Sequence, residues 1–352
     1  MLYFGNMRFR NLILLPFILV SSLVQAQDQA SPMEDLPDYI QQVTHFGQRA
    51  DWSLDGKRIL FIEKTFGDVF EVEVATGKIQ PMTHHFFHEG FVRALYLSNG
   101  DILLSGAKNF SADDPWKSRD ARNTELWVLD KDLTGPPVAL GVHCKEGPAV
   151  SRKTLSIAWA LGTSVYSGSI EYVNGKPKLK QWRPLFTNMD LPSPAKGWDV
   201  ETQNFNPLNE QELFFYSFGG QFGFQAEVLS YNLEEKTFKN YSKSRETYDE
   251  AEGIFPDGLS MLIESNRHRM KYKGMKEFLT LDIYKLDLAG DGKVERMTYF
   301  NDNPNYKASN PVVSDDGKYM AFQYAQVEDE AGVGRGILIM DIERWEKKKG
   351  KK

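Results

Sequence analysis

The stretch Ala50-Asp51-Trp52-Ser53-Leu54-Asp55-Gly56-Lys57-Arg58-Ile59-Leu60-Phe61 recurs near the far end of the chain as Asn310-Pro311-Val312-Val313-Ser314-Asp315-Asp316-Gly317-Lys318-Tyr319-Met320-Ala321-Phe322. In each copy an apolar run enters Ser-x-Asp-Gly-Lys and a second apolar run leaves it. Asp-Gly between apolar runs signals a hairpin, because glycine takes the positive φ that a tight turn requires. Looser copies turn at Asn99-Gly100, Arg152-Lys153, Asn209-Glu210 and Asp257-Gly258. The second turn residues fall at 56, 100, 153, 210, 258 and 317, in steps of 44 to 59 residues. Third strands follow at Val69–Val74, Leu126–Leu129, Val165–Val173, Val228–Leu233, Ile283–Leu288 and Ile337–Ile342. Thr76-Gly77 and Gly290-Asp291-Gly292 then turn into fourth strands. Four strands in each of six units predict an all-β, six-bladed propeller.

The last unit stops at Ile342 with no fourth strand. Tyr39-Ile40-Gln41-Gln42-Val43-Thr44-His45 resembles the fourth strand Lys78-Ile79-Gln80-Pro81-Met82-Thr83-His84. Residues 38–45 are therefore expected to supply the outer strand of the final blade and close the ring, leaving no open edge. The propeller is expected to occupy residues 27–345. The segment 346–352, with five lysines between Lys347 and Lys352, is expected to be a disordered basic tail.

Met7 to Ala26 reads as a secretory signal peptide. Arg8 and Arg10 give the positive start, Leu12 to Val20 the apolar run, and Val24-Gln25-Ala26 the cleavage pattern. The run falls short of the roughly 20 residues of a membrane span. Residues 1–26 are expected to be removed after Ala26. What remains would be a periplasmic or secreted bacterial protein, monomeric and without a transmembrane segment. Cys144 is the only cysteine, so no intramolecular disulfide can form, and its role reads as structural. Its neighbour His143 points to the opposite face if the two lie on a strand. A net charge of −6 and a pI near 5.7 exclude nucleic acid as the main partner, since phosphate binding needs a cationic surface.

Trp52-Ser53-Leu54-Asp55-Gly56-Lys57, taken with Ile79-Gln80-Pro81-Met82-Thr83, resembles the repeat of TolB-like β-propellers, whose blades carry W-S-P-D-G-K and end in L-T. The resemblance covers nearly all of the expected mature chain, with blades three and four departing from it. It implies a fold rather than an activity. TolB itself has an N-terminal domain that binds its partners, whereas about twenty residues precede the first blade here. Glu252-Gly253-Ile254-Phe255-Pro256-Asp257-Gly258, Glu264-Ser265-Asn266-Arg267-His268 and Tyr306-Lys307-Ala308-Ser309-Asn310-Pro311 resemble a subgroup of exported bacterial propellers without an assigned activity.

In a propeller the Asp-Gly turns share one face, and the connections between blades share the other with those between second and third strands. The second face collects the unusual segments: His84 to Glu89, Gly141 to Glu146, Ala107 to Arg122, Gly219 to Gly223 and Asn266 to Lys276. Long loops on a rigid scaffold are where binding resides. The residues opening the innermost strands read Arg49, Arg93, Glu146, Gln203, Glu252 and Ser309 or Asn310. Glu89, His268 and Trp116 join them as candidate ligand contacts, with Phe222 as a further aromatic wall.

Two functional readings follow. In the first, this face binds a polar or anionic glycan fragment or an envelope protein. The second is a carbohydrate-active lyase or hydrolase. His84, His85 and His88 would there hold a divalent metal (Zn, Mn or Ca), and His88, Glu146, Glu252 and His268 would converge within a few ångström. Similarity to oligogalacturonate lyases implies His88 or His143 as base and Arg93 or Arg267 as the cation neutralising a substrate carboxylate. No G-x-S-x-G elbow, nucleotide-phosphate loop or EF-hand spacing occurs.

Overall fold

In the computed structural model, which describes residues 30–120, 122–220, 225–244, 246–269, 279–330 and 332–350, all six expected turns are formed. The residue entering each turn donates its N–H to the carbonyl of the residue leaving it. The pairs are Ser53–Arg58, Leu97–Asp101, Ser151–Ser156, Asn206–Glu212, Phe255–Ser260 and Ser314–Tyr319, at 2.7–3.0 Å. The Ser-x-Asp-Gly-Lys motif explains itself locally. Ser53 Oγ donates to Asp55 Oδ1 at 2.7 Å, Lys57 N–H donates to the same oxygen at 3.1 Å, and Gly56 sits at φ +67°. Ser314, Asp316, Lys318 and Gly317 repeat the arrangement. The signal peptide, Phe222 and the basic run beyond Arg269 lie outside the described residues.

The first strand of the chain is β1 (Ile40–Gln42). One four-stranded antiparallel sheet follows from β2 (Gln48–Trp52), β3 (Arg58–Ile62), β4 (Val69–Glu73) and β5 (Ile79–Pro81). A second comprises β6 (Phe91–Tyr96), β7 (Ile102–Ala107), β8 (Thr124–Leu129) and β9 (Val138–His143). Between β7 and β8 stands a short helix, α1 (Pro115–Arg119), capped by Asp114. Next come β10 (Ala149–Val150), β11 (Ser156–Leu161), β12 (Ser164–Val173) and β13 (Lys176–Thr187). After them come β14 (Asp199–Phe205), β15 (Glu212–Gly219), β16 (Gln225–Asn232) and β17 (Phe238–Asn240). Another four-stranded sheet contains β18 (Asp249–Ile254), β19 (Ser260–Ser265), β20 (Asp282–Asp287) and β21 (Val294–Arg296). The last contains β22 (Tyr306–Val313), β23 (Tyr319–Gln326), β24 (Ile337–Asp341) and, at its outer edge, β1.

Two expectations need correction. The eight strands β10 to β17 form one sheet rather than two, because a parallel pairing of β10 with β14 at Val150 and Asn204 joins two antiparallel runs of four. The sheets as hydrogen-bonded are thus four of four strands and one of eight. The tail also differs: α2 (Ile342–Lys349) is a helix through most of the stretch expected to be disordered. Asp341 caps it, Ile342 and Trp345 bury their side chains one turn apart, and Lys348 reaches Asp38 at 2.6 Å. The lysine run lies at the helix C-terminus, where positive charge suits the macrodipole.

Pairing of β1 with β24 is antiparallel, Ile40 opposite Met340 and Gln42 opposite Leu338. Six apolar clusters lie between consecutive four-strand runs, including one that joins the last to the first through Ala321, Ile337 and Ile339 against Ala50, Trp52 and Ile59. Second strands are covered on both faces. In β3, Ile59 and Phe61 face one cluster while Leu60 and Ile62 face the next. That is why these strands read as unbroken apolar runs rather than as alternation. Among the described residues no helix is long and apolar enough to cross a membrane.

Cys144 is fully buried in one of these clusters, and burial pushes its thiol well above the usual range. A thiol-specific reagent should leave the folded protein unlabelled and take up one equivalent on denaturation. Labelling of the native protein at the denatured rate would contradict this packing.

Candidate functional site

Inner strands β2, β6, β10, β14, β18 and β22 line a narrow central cavity of about 80 Å³, to which they contribute Ala50, Arg93, Val150, Gln203, Glu252 and Val312. Five of these strands carry a β-bulge against their neighbour: between Gln48 and Asp51, Phe91 and Arg93, Thr202 and Asn204, Ala251 and Ile254, and Ser309 and Val312. A bulge inserts one residue, bends the strand and re-aims side chains. Arg49, Gln203, Glu252 and Asn310 are the inserted residues or belong to the inserted pairs, and Arg93 borders one. Arg49 and Asn310 lie in the left-handed region, at φ +55° and +48°.

At its turn side the cavity is crossed by Arg152. This side chain bonds both oxygens of Asp315, at 3.0 and 2.8 Å, and the Trp52 carbonyl at 2.8 Å, and it stands 3.5 Å from Asp51. Burial raises the Asp51 carboxyl to about 6 in spite of Arg152 and of the Tyr96 N–H that it accepts.

Deeper in, acids dominate. Glu250, Glu252 and Glu264 offer oxygens that all lie within 4.8 Å of one another. Glu252 accepts from Asn310 Nδ2 at 2.9 Å and Gln203 Nε2 at 3.2 Å, and Arg93 lies 3.9 Å away. Glu264 accepts the Asn310 N–H at 2.5 Å, and its carboxyl stands beside that of Glu252. Tyr248 donates to Glu250, and Tyr216 donates to Glu201 at 2.8 Å. Burial and repulsion from neighbouring carboxylates, Glu201 among them, raise all three acids of the trio, Glu250 to about 8. A carboxylate set suits Ca²⁺, Mg²⁺ or Mn²⁺ rather than Zn²⁺. Here its oxygens also accept from Asn310, Gln203 and Tyr248.

The histidines do not assemble. His84 and His88 both bond Asp68, at 3.0 and 2.8 Å, and His88 Nδ1 accepts the Gly90 N–H at 2.9 Å. Both His88 nitrogens are therefore occupied, which leaves no free base. His85 rests its exposed ring on Phe86. His143 belongs to the outer strand β9 rather than to a loop, opposite Glu125. His268 lies between Tyr284 and Asn301, at 3.0 and 2.9 Å, and burial lowers it to about 4, so it is neutral. Arg267 grips buried Asp249 through two bonds, at 3.0 and 2.6 Å, and is not a free cation. The expected convergence of His88, Glu146, Glu252 and His268 is absent: each is held by a different set of partners. Among the described residues no metal-compatible trio contains His84, His85 or His88. Loop spacing alone could not reveal these local partners.

On the long-loop face the structure does build a pocket, of about 540 Å³. Its walls are Lys64 to Phe66, Phe110 with Pro115, Trp116 and Arg119, and Glu330 with Gly332 and Val333. These are the connections after β3, β7 and β23. A bridge between Lys64 and Val333 ties two of them together, as does the Thr65 N–H bond to the Gly332 carbonyl at 2.9 Å. Phe66 is held at φ +64° by its N–H bond to Phe91 O, with its ring 4.9 Å from Phe110. Trp116 is 70% exposed, and the Arg119 guanidinium lies 5.3 Å from its ring centre. Glu89, half-buried before β6, lines neither cavity. Sequence reasoning named Trp116 but missed Phe66, Phe110 and Arg119. An aromatic residue between Thr65 and Gly67, in a connection that should be polar, was the available signal.

Taken together, the radial sheets, the central cavity and the loop-face pocket define a β-propeller. No protein-family model matches the sequence, and no curated protein does. Solved structures similar to the chain include TolB from Acinetobacter baumannii, at 14% identity over 85% of this chain and 65% of that one, with a TM-score of 0.45. The tricorn protease matches at 14% identity over 86% of this chain and 25% of its own, with a TM-score of 0.51. An oligogalacturonate lyase in complex with manganese matches at 10% over 84% and 77%, with a TM-score of 0.49. Solved structures similar to the chain thus include TolB proteins and the tricorn protease, and at these identities the likeness is one of fold.

Proposed function

We propose that the chain is an exported, six-bladed TolB-like propeller that binds a polar, ring-bearing ligand, a glycan fragment, in the loop-face pocket. Counting the eight-stranded sheet as two blades gives six, with β1 completing the last and the Trp52 cluster closing the ring. The export reading rests on the sequence of residues 1–26.

The observation that carries the binding reading is the pocket itself. Three connections pinned to one another present an exposed Trp116, an arginine, a lysine and a glutamate around a space large enough for a sugar. An aromatic face with a few placed polar groups is the usual make-up of a small-ligand site. A solvent-exposed tryptophan supplies contact area with little entropy to lose. Arg119 of the pocket wall also holds Glu146, which Arg49 shares.

Calorimetric titration of residues 27–352 with a panel of neutral and uronate-containing oligosaccharides tests this. Binding should be detected, and Trp116→Ala should weaken it tenfold or more, about 1.4 kcal/mol or above. The reading fails if nothing in the panel binds, or if the alanine variant binds as well as the parent.

A further inference from the structure

Glu146 lies in the connection between β9 and β10, and its carboxylate is shared by two arginines from elsewhere in the ring. Arg49 comes from the bulge of β2, and Arg119 from the end of α1. Glu146 carries one negative charge between two positive ones, and all three side chains are largely withdrawn from water. Arg49 is held in a left-handed conformation that a non-glycine residue rarely adopts, and Gln323 Oε1 fixes its N–H at 2.7 Å. Its Nε is buried with no hydrogen-bond partner. Strained backbone and an unsatisfied buried donor each cost free energy, and such costs cluster where a ligand is received.

Arg119 faces two ways. It holds Glu146, and it also forms part of the Trp116 pocket wall. A second carboxylate, Glu201, also acts on Arg119. Lys64 and Glu330 offset each other across the pocket. Below the clamp, Arg93 stands against Glu252, and Glu201 accepts from Tyr216. A guanidinium offers a planar fork matched to a carboxylate, so a second carboxylate can compete for it.

We propose that Glu146 is an internal stand-in for a carboxylate carried by the pocket's ligand: an incoming carboxylate takes Arg119, and Glu146 stays with Arg49. This deepens the pocket reading above and rests on it for the location of the ligand's ring.

The test uses glucuronate, with glucose as the neutral ring of the same size, titrated into the wild type and into Glu146→Gln and Arg119→Gln variants. Removing the competitor in Glu146→Gln should tighten glucuronate at least tenfold and leave glucose unchanged. In Arg119→Gln the preference for glucuronate over glucose should vanish. Unchanged or weaker glucuronate binding to Glu146→Gln overturns the proposal, as does an intact preference in Arg119→Gln. If neither sugar binds any form, the pocket reading fails on its own, and acetate on Glu146→Ala decides the clamp. A saturable rise in melting temperature with acetate but not acetamide supports a carboxylate site between the arginines. No acetate-specific rise overturns it.

Discussion

Replacing Arg152 by alanine should destabilise the protein by about 3 kcal/mol, more at pH 8 than at pH 5. This one side chain joins the third turn to the sixth through Asp315 and to the first strand run through Asp51 and the Trp52 carbonyl. Asp315 is exposed enough to be rehydrated. Asp51 is not: burial already raises its carboxyl to about 6 with the arginine in place. Without Arg152 its folded value moves higher still. A carboxyl whose folded pKa lies above its unfolded one contributes fully below the unfolded value. That contribution is lost as pH rises through the folded value, so the arginine matters most when Asp51 is charged. Asp51→Asn in the Arg152→Ala background should recover part of the loss at pH 8, and little of it at pH 5. Urea melts at the two pH values measure it. A loss below 1 kcal/mol at pH 8, or one independent of pH, would mean that the arginine does not hold the turn side of the channel.

The parts of this fold that were legible in the sequence are those fixed by local chemistry. Ser53-x-Asp55-Gly56 and Ser314-x-Asp316-Gly317 encode their turns within five residues. The Tyr39–Thr44 segment betrays its pairing because it copies a fourth strand seen elsewhere in the chain. Buried second strands announce themselves as apolar runs because both faces are covered. The parallel contact of Val150 with Asn204 has no such signature, since it joins residues more than fifty positions apart through backbone alone. Trp345 could have been read as an anchor, but the lysines that follow it outweighed it.

The site was less legible for a geometric reason. A β-bulge shifts a side chain by one residue without a fixed sequence mark, so the channel residues could be placed only within about one position. Glu250 and Glu264, which face the same space as Glu252, were passed over. Histidine clustering misled in the opposite direction: proximity in the chain says nothing of partners. Asp68 claims His84 and His88, while Asn301 and Tyr284 claim His268. Trp116 was legible because an apolar ring in a charged insertion has no folding reason to be there.

Glu250→Gln should raise the melting temperature at pH 8 and flatten its dependence on pH between 5 and 8. In the native protein three carboxyls share a space from which water is largely excluded, with Arg93 3.9 Å from Glu252, Lys307 acting on Glu264 and Glu250, and Glu201 adding further negative charge. The ordinary value for a glutamate is 4.5, and in the fold Glu250 is raised to about 8, titrating jointly with its neighbours. In the window between those values the unfolded chain has lost a proton that the folded protein retains. Stability contributed by the protonated cluster is therefore complete below about 4.5 and declines as pH rises toward 8. Glutamine keeps an oxygen for the Tyr248 hydroxyl and removes the charge that must otherwise form against Glu252 and Glu201. The expected gain is about 2 kcal/mol at pH 8 and near zero at pH 5, read from denaturant melts at both. Asp51 and Asp282, each raised to about 6 by burial, titrate in the same direction, so a residual slope centred near pH 6 should survive in the variant. If Glu250→Gln is instead less stable at pH 8, Glu250 is charged in the native protein and Lys307 balances it. The channel would then be an ion-paired lining rather than a protonated one.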